Sequence, residues 1–321
     1  MQGAERPGFT GVIDFHVHLP WRRRDPREAA EYLIREMDSA GVARAVVIAI
    51  EPSIALFKRH ASPERVRKAA AEVLDYLVYL RIPGLREILF SPEDSIAEHE
   101  RILLEHTRRS EEVLEAARHS GGRLIPVASY NPDLGVEGVL RKLKSGRYLG
   151  LKLYPTLHFC TPSERRLRPI LDYLEEEGMI LIVHTGCDPG IWEFPGLCEG
   201  ARPKSLESIA RKHPDLVIVI AHMGSYSALK PGIFFSEALE VIAKYDNVYA
   251  DTSAVDPYLV EVAVDRVGYE KLLFGSDYPY VVGYTMRDAV EDILKLNIES
   301  KAKNAILRLN AERLLRRLGW C

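Results

Sequence analysis

Short β-branched runs alternate with longer helical patterns eight times along this chain, and that repetition limits the fold more than any other feature. The runs are GVIDFHVH (11–18), ARAVVIAI (43–50), RLIPVASY (123–130), YLGLKLYP (148–155), MILIVHTG (179–186), LVIVIAHMG (216–224), NVYADTSA (247–254) and KLLFGSDYP (271–279). Between them lie segments with helical spacing, such as REAAEYLIREMDSAG, SERRLRPILDYLEEEG, PKSLESIARKH and FFSEALEVIAKY. Gly41, Gly178 and Asn247 stand where helices commonly close. Repeated strand–helix units cover both faces of every strand when they close into an α/β (β/α)8 TIM barrel. At 321 residues, the chain 1–321 fits one such domain.

The alternation breaks once, where residues 51–122 separate the second and third strands. They hold two helical patterns, ERVRKAAAEVLDYLVYLR and SIAEHERILLEHTRRSEEVLEAARH. A barrel's βα connections leave from the C-terminal face, so this helical insertion is expected to form a lid over the mouth. The alternative is padding on the outer wall or the interface of a homo-oligomer.

With 47% hydrophobic and 28% charged residues, the chain can build a large core. A net charge of -3 with no long basic run leaves neither nucleic acid nor an anionic membrane as an expected partner. The N-terminal MQGAERPGFT has no apolar signal stretch and runs such as LVIVIA are too short to span a bilayer, so a cytoplasmic location is expected. Cys160, Cys187, Cys198 and Cys321 form no C-x-x-C pair and read as reduced thiols. One glutamine and few asparagines beside many charges resemble thermophile composition.

Chemistry enters at IDFHVHLP. Strand period puts Asp14, His16 and His18 on one face and Phe15, Val17 and Leu19 on the other. Two imidazoles near a strand's C-terminal end can ligate one metal ion, although H-x-H alone is a weak signal. Three later strand ends strengthen it: LIVHTG brings His184, VIAHMG brings His222 and FGSDYP brings Asp277. Strand 4 carries a lone Lys152 in an apolar run. A barrel turns all these positions toward one mouth, and several imidazoles with a carboxylate suit a divalent transition metal, most often zinc. Asp14 faces the same interior, either as a partner to a ligand imidazole or as an anchor for its strand.

The ordered set IDFHVH, GLKLYP, IVHTG, IAHMG, YADTSA and GSDYP resembles the amidohydrolase superfamily, in its amidohydrolase 2 branch, over nearly the whole chain. The resemblance implies a barrel with a metal at its mouth. It implies metal ligation by His16, His18, His184 and Asp277, with His222 beside the metal assisting the chemistry. It also implies one Zn2+, with a second metal if Lys152 is carboxylated. Lys152 keeps two other readings, an ammonium that binds a substrate carboxylate or a structural lysine paired with an acid. The insertion has no role in the resemblance.

The expected reaction is hydrolysis of a C–N or C–O bond in a small molecule of amide, lactone or ester type, by metal-activated water. Asp277 would carry the proton and His222 would orient the water or polarise a carbonyl. The alternative is a non-oxidative decarboxylase of an aromatic or unsaturated carboxylic acid, which uses the same ligands. A third reading is a non-catalytic metal-containing barrel that binds a ligand. Trp21, Tyr154, Trp192, Tyr226 and Tyr278 follow strand ends and could line an aromatic pocket.

Overall fold

All eight expected runs contribute a strand to one parallel sheet, ordered β1 to β8 as in the chain. The computed structural model describes residues 11–67, 92–187, 195–227 and 230–320. The strands are β1 (Val12–Val17), β2 (Val42–Ile48), β3 (Leu124–Ser129), β4 (Gly150–Leu153), β5 (Ile180–Gly186), β6 (Val217–Tyr226), β7 (Val248–Asp251) and β8 (Leu272–Leu273). The last is shorter than expected, yet the chain beyond it closes the ring onto β1. Phe15 N–H donates to Phe274 O (2.7 Å), Asp277 N–H to His16 O (2.9 Å) and His18 N–H to Tyr278 O (2.8 Å). The result is a (β/α)8 TIM barrel.

The core has two shells. Ile13, Phe15, Val46, Ile48, Ile182 and Val219 fill the barrel, with Leu314 and Leu315 joining the same cluster. A second cluster lies between sheet and helices. Helix α1 (Pro26–Ala40) begins on the Asp25 cap and ends where Gly41, at φ 73°, enters the left-handed region. Its Ala30, Leu33 and Met37 join Val17 and Leu19 in that outer shell. Asn247 does not close a helix: its amide reaches the carbonyls of Ala210, His213 and Leu216 at 2.9–3.3 Å.

Strand β1 departs from simple alternation. Phe15 packs with the barrel interior, whereas Val17 and Leu19 pack outward. The cause is a shift of register against β2 between Asp14 and Val17, which resets the phase of the strand.

The insertion begins with α2 (Ile54–His60), continues in α3 (Pro92–His106) and returns to the barrel through α4 (Ser110–Arg118). Val113 and Ala116 of α4 sit in the outer shell as a regular barrel helix would. Most of ERVRKAAAEVLDYLVYLR lies outside the described residues. The described parts meet mouth loops: His60 stacks on Phe159 (4.9 Å) and His106 on Trp21 (4.6 Å). Arg108 pairs its backbone with Ile50 and turns a buried guanidinium onto the carbonyls of Pro20, Arg23 and Arg24.

Cysteine pairing differs from expectation. Cys187, immediately after β5, is joined to Cys198 with Cα atoms 5.5 Å apart, and Cys160 is a buried free thiol. Only the fold brings these two thiols together, because the positions stand 11 apart in sequence. Cys321 lies outside the described residues. No described helix is long and apolar enough to cross a membrane.

Candidate active site

The C-terminal ends of β1, β5, β6 and β7, with the loop after β8, bring a group of buried histidines and carboxylates to one mouth. His16 Nε2 and His18 Nε2 lie 3.5 and 3.3 Å from Asp277 Oδ1. These three donor atoms are near enough to share one ion, and His16, His222 and Asp251 form a second such group.

Hydrogen bonding places a proton on Nδ1 of His16, His18 and His222. His18 Nδ1 is 2.9 Å from the Ile48 carbonyl, which can only accept, so Nδ1 carries a proton and Nε2 is the nitrogen turned toward Asp277. His16 Nδ1 donates to Asp251 Oδ2 at 2.8 Å, with the same outcome. His222 Nδ1 donates to the Ser253 carbonyl at 3.0 Å. Burial, reinforced by neighbouring Lys152 and histidines, holds the pKa of His16 and His184 well below the ordinary value. His222 is lowered in the same way, by burial first and then by His184. Neutral imidazoles with free Nε2 lone pairs are what a divalent transition metal requires, so the donor set fits such an ion.

Two catalytic candidates sit in unusual backbone. His222 (φ 62°) and Asp277 (φ 56°) both occupy the left-handed region, rare for residues with a side chain. The His222 N–H donates to Asp251 Oδ1 at 2.9 Å, and the Asp277 N–H to the His16 carbonyl, so each strained turn is tied to a neighbouring strand.

His184 stands across the mouth, its ring 4.7 Å from that of His222. It belongs to neither group of mutually close donors among the described residues. Lys152 is fully buried, with Nζ 3.4 Å from His16 Nε2. Burial pushes its pKa down to about 8 against the pull of Asp251 and Asp277. Asp14 anchors backbone: its Oδ1 accepts the N–H groups of His16 and Ser276, both at 3.1 Å. Burial raises that carboxyl to about 7.

Of the expected aromatics, Tyr226 packs its ring 4.7 Å from His184 and Tyr154 lies 6.0 Å from it. Trp21 stacks in the outer mouth. Tyr278 turns away and meets Tyr32, while Trp192 lies outside the described residues. Sequence reasoning missed Tyr280, whose ring stands edge-on to His18 at 4.9 Å. It also missed Asp251, which binds His16, His222 and Ser253 at once. The signal was present, since NVYADTSA ends a buried strand on an acid as FGSDYP does.

Residues 13–317 match the family model described as amidohydrolase. No curated protein matches the chain. Among solved structures, an uncharacterised TIM-barrel protein from Bordetella bronchiseptica is similar at 18% identity and TM-score 0.67, covering 96% of this chain and 99% of its own. A dihydroxybenzoic acid decarboxylase from Polaromonas, with bound manganese and 2-nitroresorcinol, is similar at 13% identity and TM-score 0.61, covering 96% and 97%. A probable 2-pyrone-4,6-dicarboxylic acid hydrolase from Acinetobacter baumannii, with citric acid bound, is similar at 14% identity and TM-score 0.59, covering 96% and 100%.

Proposed function

The chain belongs to the amidohydrolase family, and from that premise we propose that it hydrolyses a C–N or C–O bond of amide, ester or lactone type in a small molecule. The observation that carries this reading is the meeting of His16, His18 and Asp277, with both histidines held through Nδ1 and Nε2 turned toward the carboxylate, close to His222. His16, His18 and Asp277 would hold one divalent ion, with zinc suited to the donor set and His184 as the further donor across the mouth. When bound, such an ion supplies Lewis-acid activation of water and of a carbonyl.

The residues do the rest. Asp277 accepts a proton from the attacking water and delivers it to the leaving group, a role suited to a carboxylate buried beside two imidazoles. His222 directs Nε2 at the reacting centre because its other nitrogen is held by Ser253. Lys152, with its lowered pKa, supplies a fraction of neutral amine near pH 8, as carboxylation and a second metal would need. The insertion acts as a lid, an assignment supported by the contacts of His60, His106 and Arg108 with mouth loops.

Non-oxidative decarboxylation of an aromatic or unsaturated acid is the second reading, favoured by the likeness to a decarboxylase structure. A panel of lactones, esters and amides set against aromatic carboxylic acids separates the two. We expect hydrolysis with the first group and no carbon dioxide release with the second; the reverse result rejects the hydrolase assignment. His16→Ala with His18→Ala should lose stoichiometric metal, measured by elemental analysis. Asp277→Asn should keep most of the metal while turnover falls about 10²–10⁴-fold.

A further inference from the structure

A cavity of about 410 Å3 opens beside Asp277, where the loops after β6, β7 and β8 converge. That is room for a small organic molecule. Much of the wall is apolar, including Val255, Phe274 and Val281, and Tyr226, Tyr280 and Tyr284 add aromatic surface. Its charged residues are all acids: Asp256 and Asp292 besides Asp277. No lysine, arginine or histidine is among its described lining residues.

The two outer carboxylates are held in place by the scaffold. Asp256 accepts the Tyr258 N–H at 2.9 Å, and Asp292 accepts the Tyr284 hydroxyl at 2.5 Å. Each bond uses one carboxylate oxygen, so each group is oriented at little entropic cost to a ligand. Lys295, one helical turn from Asp292, is engaged with Glu291 at 2.9 Å and does not line the cavity.

Such a wall discriminates by charge. An ammonium entering it gains charge-assisted hydrogen bonds to carboxylates and attraction to tyrosine faces. A carboxylate entering it loses hydration and meets like charge without a compensating donor cation. We propose that this cavity is the specificity pocket for the non-reacting end of the substrate, and that it takes an organic cation, an ammonium on an apolar or aromatic body. The substrate is then an amine-bearing amide, ester or lactone. The bond to be broken lies toward Asp277 and the ammonium toward Asp256 and Asp292. This assignment rests on the hydrolase reading for the reacting end alone; recognition of the cation needs no metal.

Equilibrium binding of benzylammonium, benzyl alcohol and benzoate to the full chain, metal-free and zinc-loaded, tests it by calorimetry at pH 7. In the metal-free protein, benzylammonium should bind at least about tenfold more tightly than benzoate, with the alcohol between them. Asp256→Asn and Asp292→Asn should each narrow that ratio about threefold or more, with the circular dichroism spectrum unchanged. Both aspartates lie toward the surface and asparagine keeps the scaffold bonds, so these variants are expected to fold. Benzoate binding as tightly as benzylammonium to metal-free protein overturns the proposal. A ratio that persists in the doubly substituted chain also overturns it. The hydrolase reading fails separately: cation preference with no hydrolysis of any amide, ester or lactone leaves the pocket standing and removes the reaction.

Discussion

Two buried carboxylates stand at the C-terminal ends of strands in this barrel, Glu51 just past β2 and Asp251 at the end of β7, and they serve opposite ends. Glu51 is closed on every side. Lys142 Nζ pairs with it at 2.6 Å, Ser110 donates both its N–H and its hydroxyl, and the Asn131 amide lies at 3.2 Å. The ion pair neutralises the charge and the donors satisfy both oxygens, so nothing is left to present to a ligand. Asp251 is equally buried, but its partners are His16, His222 and Ser253. His16 is held through Nδ1 and His222 through its backbone N–H, so Asp251 occupies the Nε2 of neither. A strand-end acid therefore becomes chemical when its partners keep spare donor capacity, and structural when they do not.

The largest expected effect lies on the closed side. Glu51→Ala leaves the Lys142 ammonium buried without a counter-charge and frees the Ser110 donors at the start of α4. We expect a loss of about 3–5 kcal/mol in stability, read by denaturant unfolding, with metal stoichiometry of the folded fraction unchanged. If metal content falls in step with stability, the two networks are not separable and the contrast fails.

The two lysines sharpen the same contrast. Lys142 has a carboxylate at 2.6 Å, whereas the nearest side-chain partner of Lys152 is His16 Nε2 at 3.4 Å. Burial depresses the Lys152 pKa from 10.5 to about 8, so the unfolded chain binds the proton more tightly than the folded one. Stability of the metal-free protein should thus rise with pH between about 8 and 10.5, by up to about 3 kcal/mol. Below about 8 the group is protonated in both states and the penalty is fully present. Lys152→Met should flatten that rise and stabilise metal-free protein at pH 7. A Lys152→Met chain with the wild-type pH profile would assign the profile to another group.

Much of this was legible in the sequence, and the rest was hidden for identifiable reasons. Strand runs and the histidines His16, His18, His184 and His222 could be read because a parallel barrel repeats one unit and turns strand ends to one side. The phase of β1 could not, since a register shift between Asp14 and Val17 leaves no mark on residue alternation. The Cys187–Cys198 pair depends on where the fold places the two thiols, which spacing does not state. Asp251 was visible as a residue but not as a partner: it is 235 positions from His16, and only barrel closure makes them neighbours.

The smallest effect is the most telling. Asp251 Oδ1 accepts from the His222 N–H and from Ser253, and Oδ2 accepts the proton on His16 Nδ1. In Asp251→Asn the amide oxygen can keep the first set of bonds, which puts the amide NH2 against His16 Nδ1. Two donors cannot face each other, so His16 is driven to the other tautomer, with its proton on Nε2, the atom that meets Asp277. Zinc affinity should fall about 10–100-fold, while the melting temperature of the metal-free protein moves little. Ser253→Ala removes a hydroxyl but leaves the carboxylate on His16, so affinity should stay within about threefold of wild type. Competition with a chelator of known affinity reads both. Wild-type affinity in Asp251→Asn would make Asp251 a second Glu51, an acid that holds the barrel together and has no part in preparing the histidines.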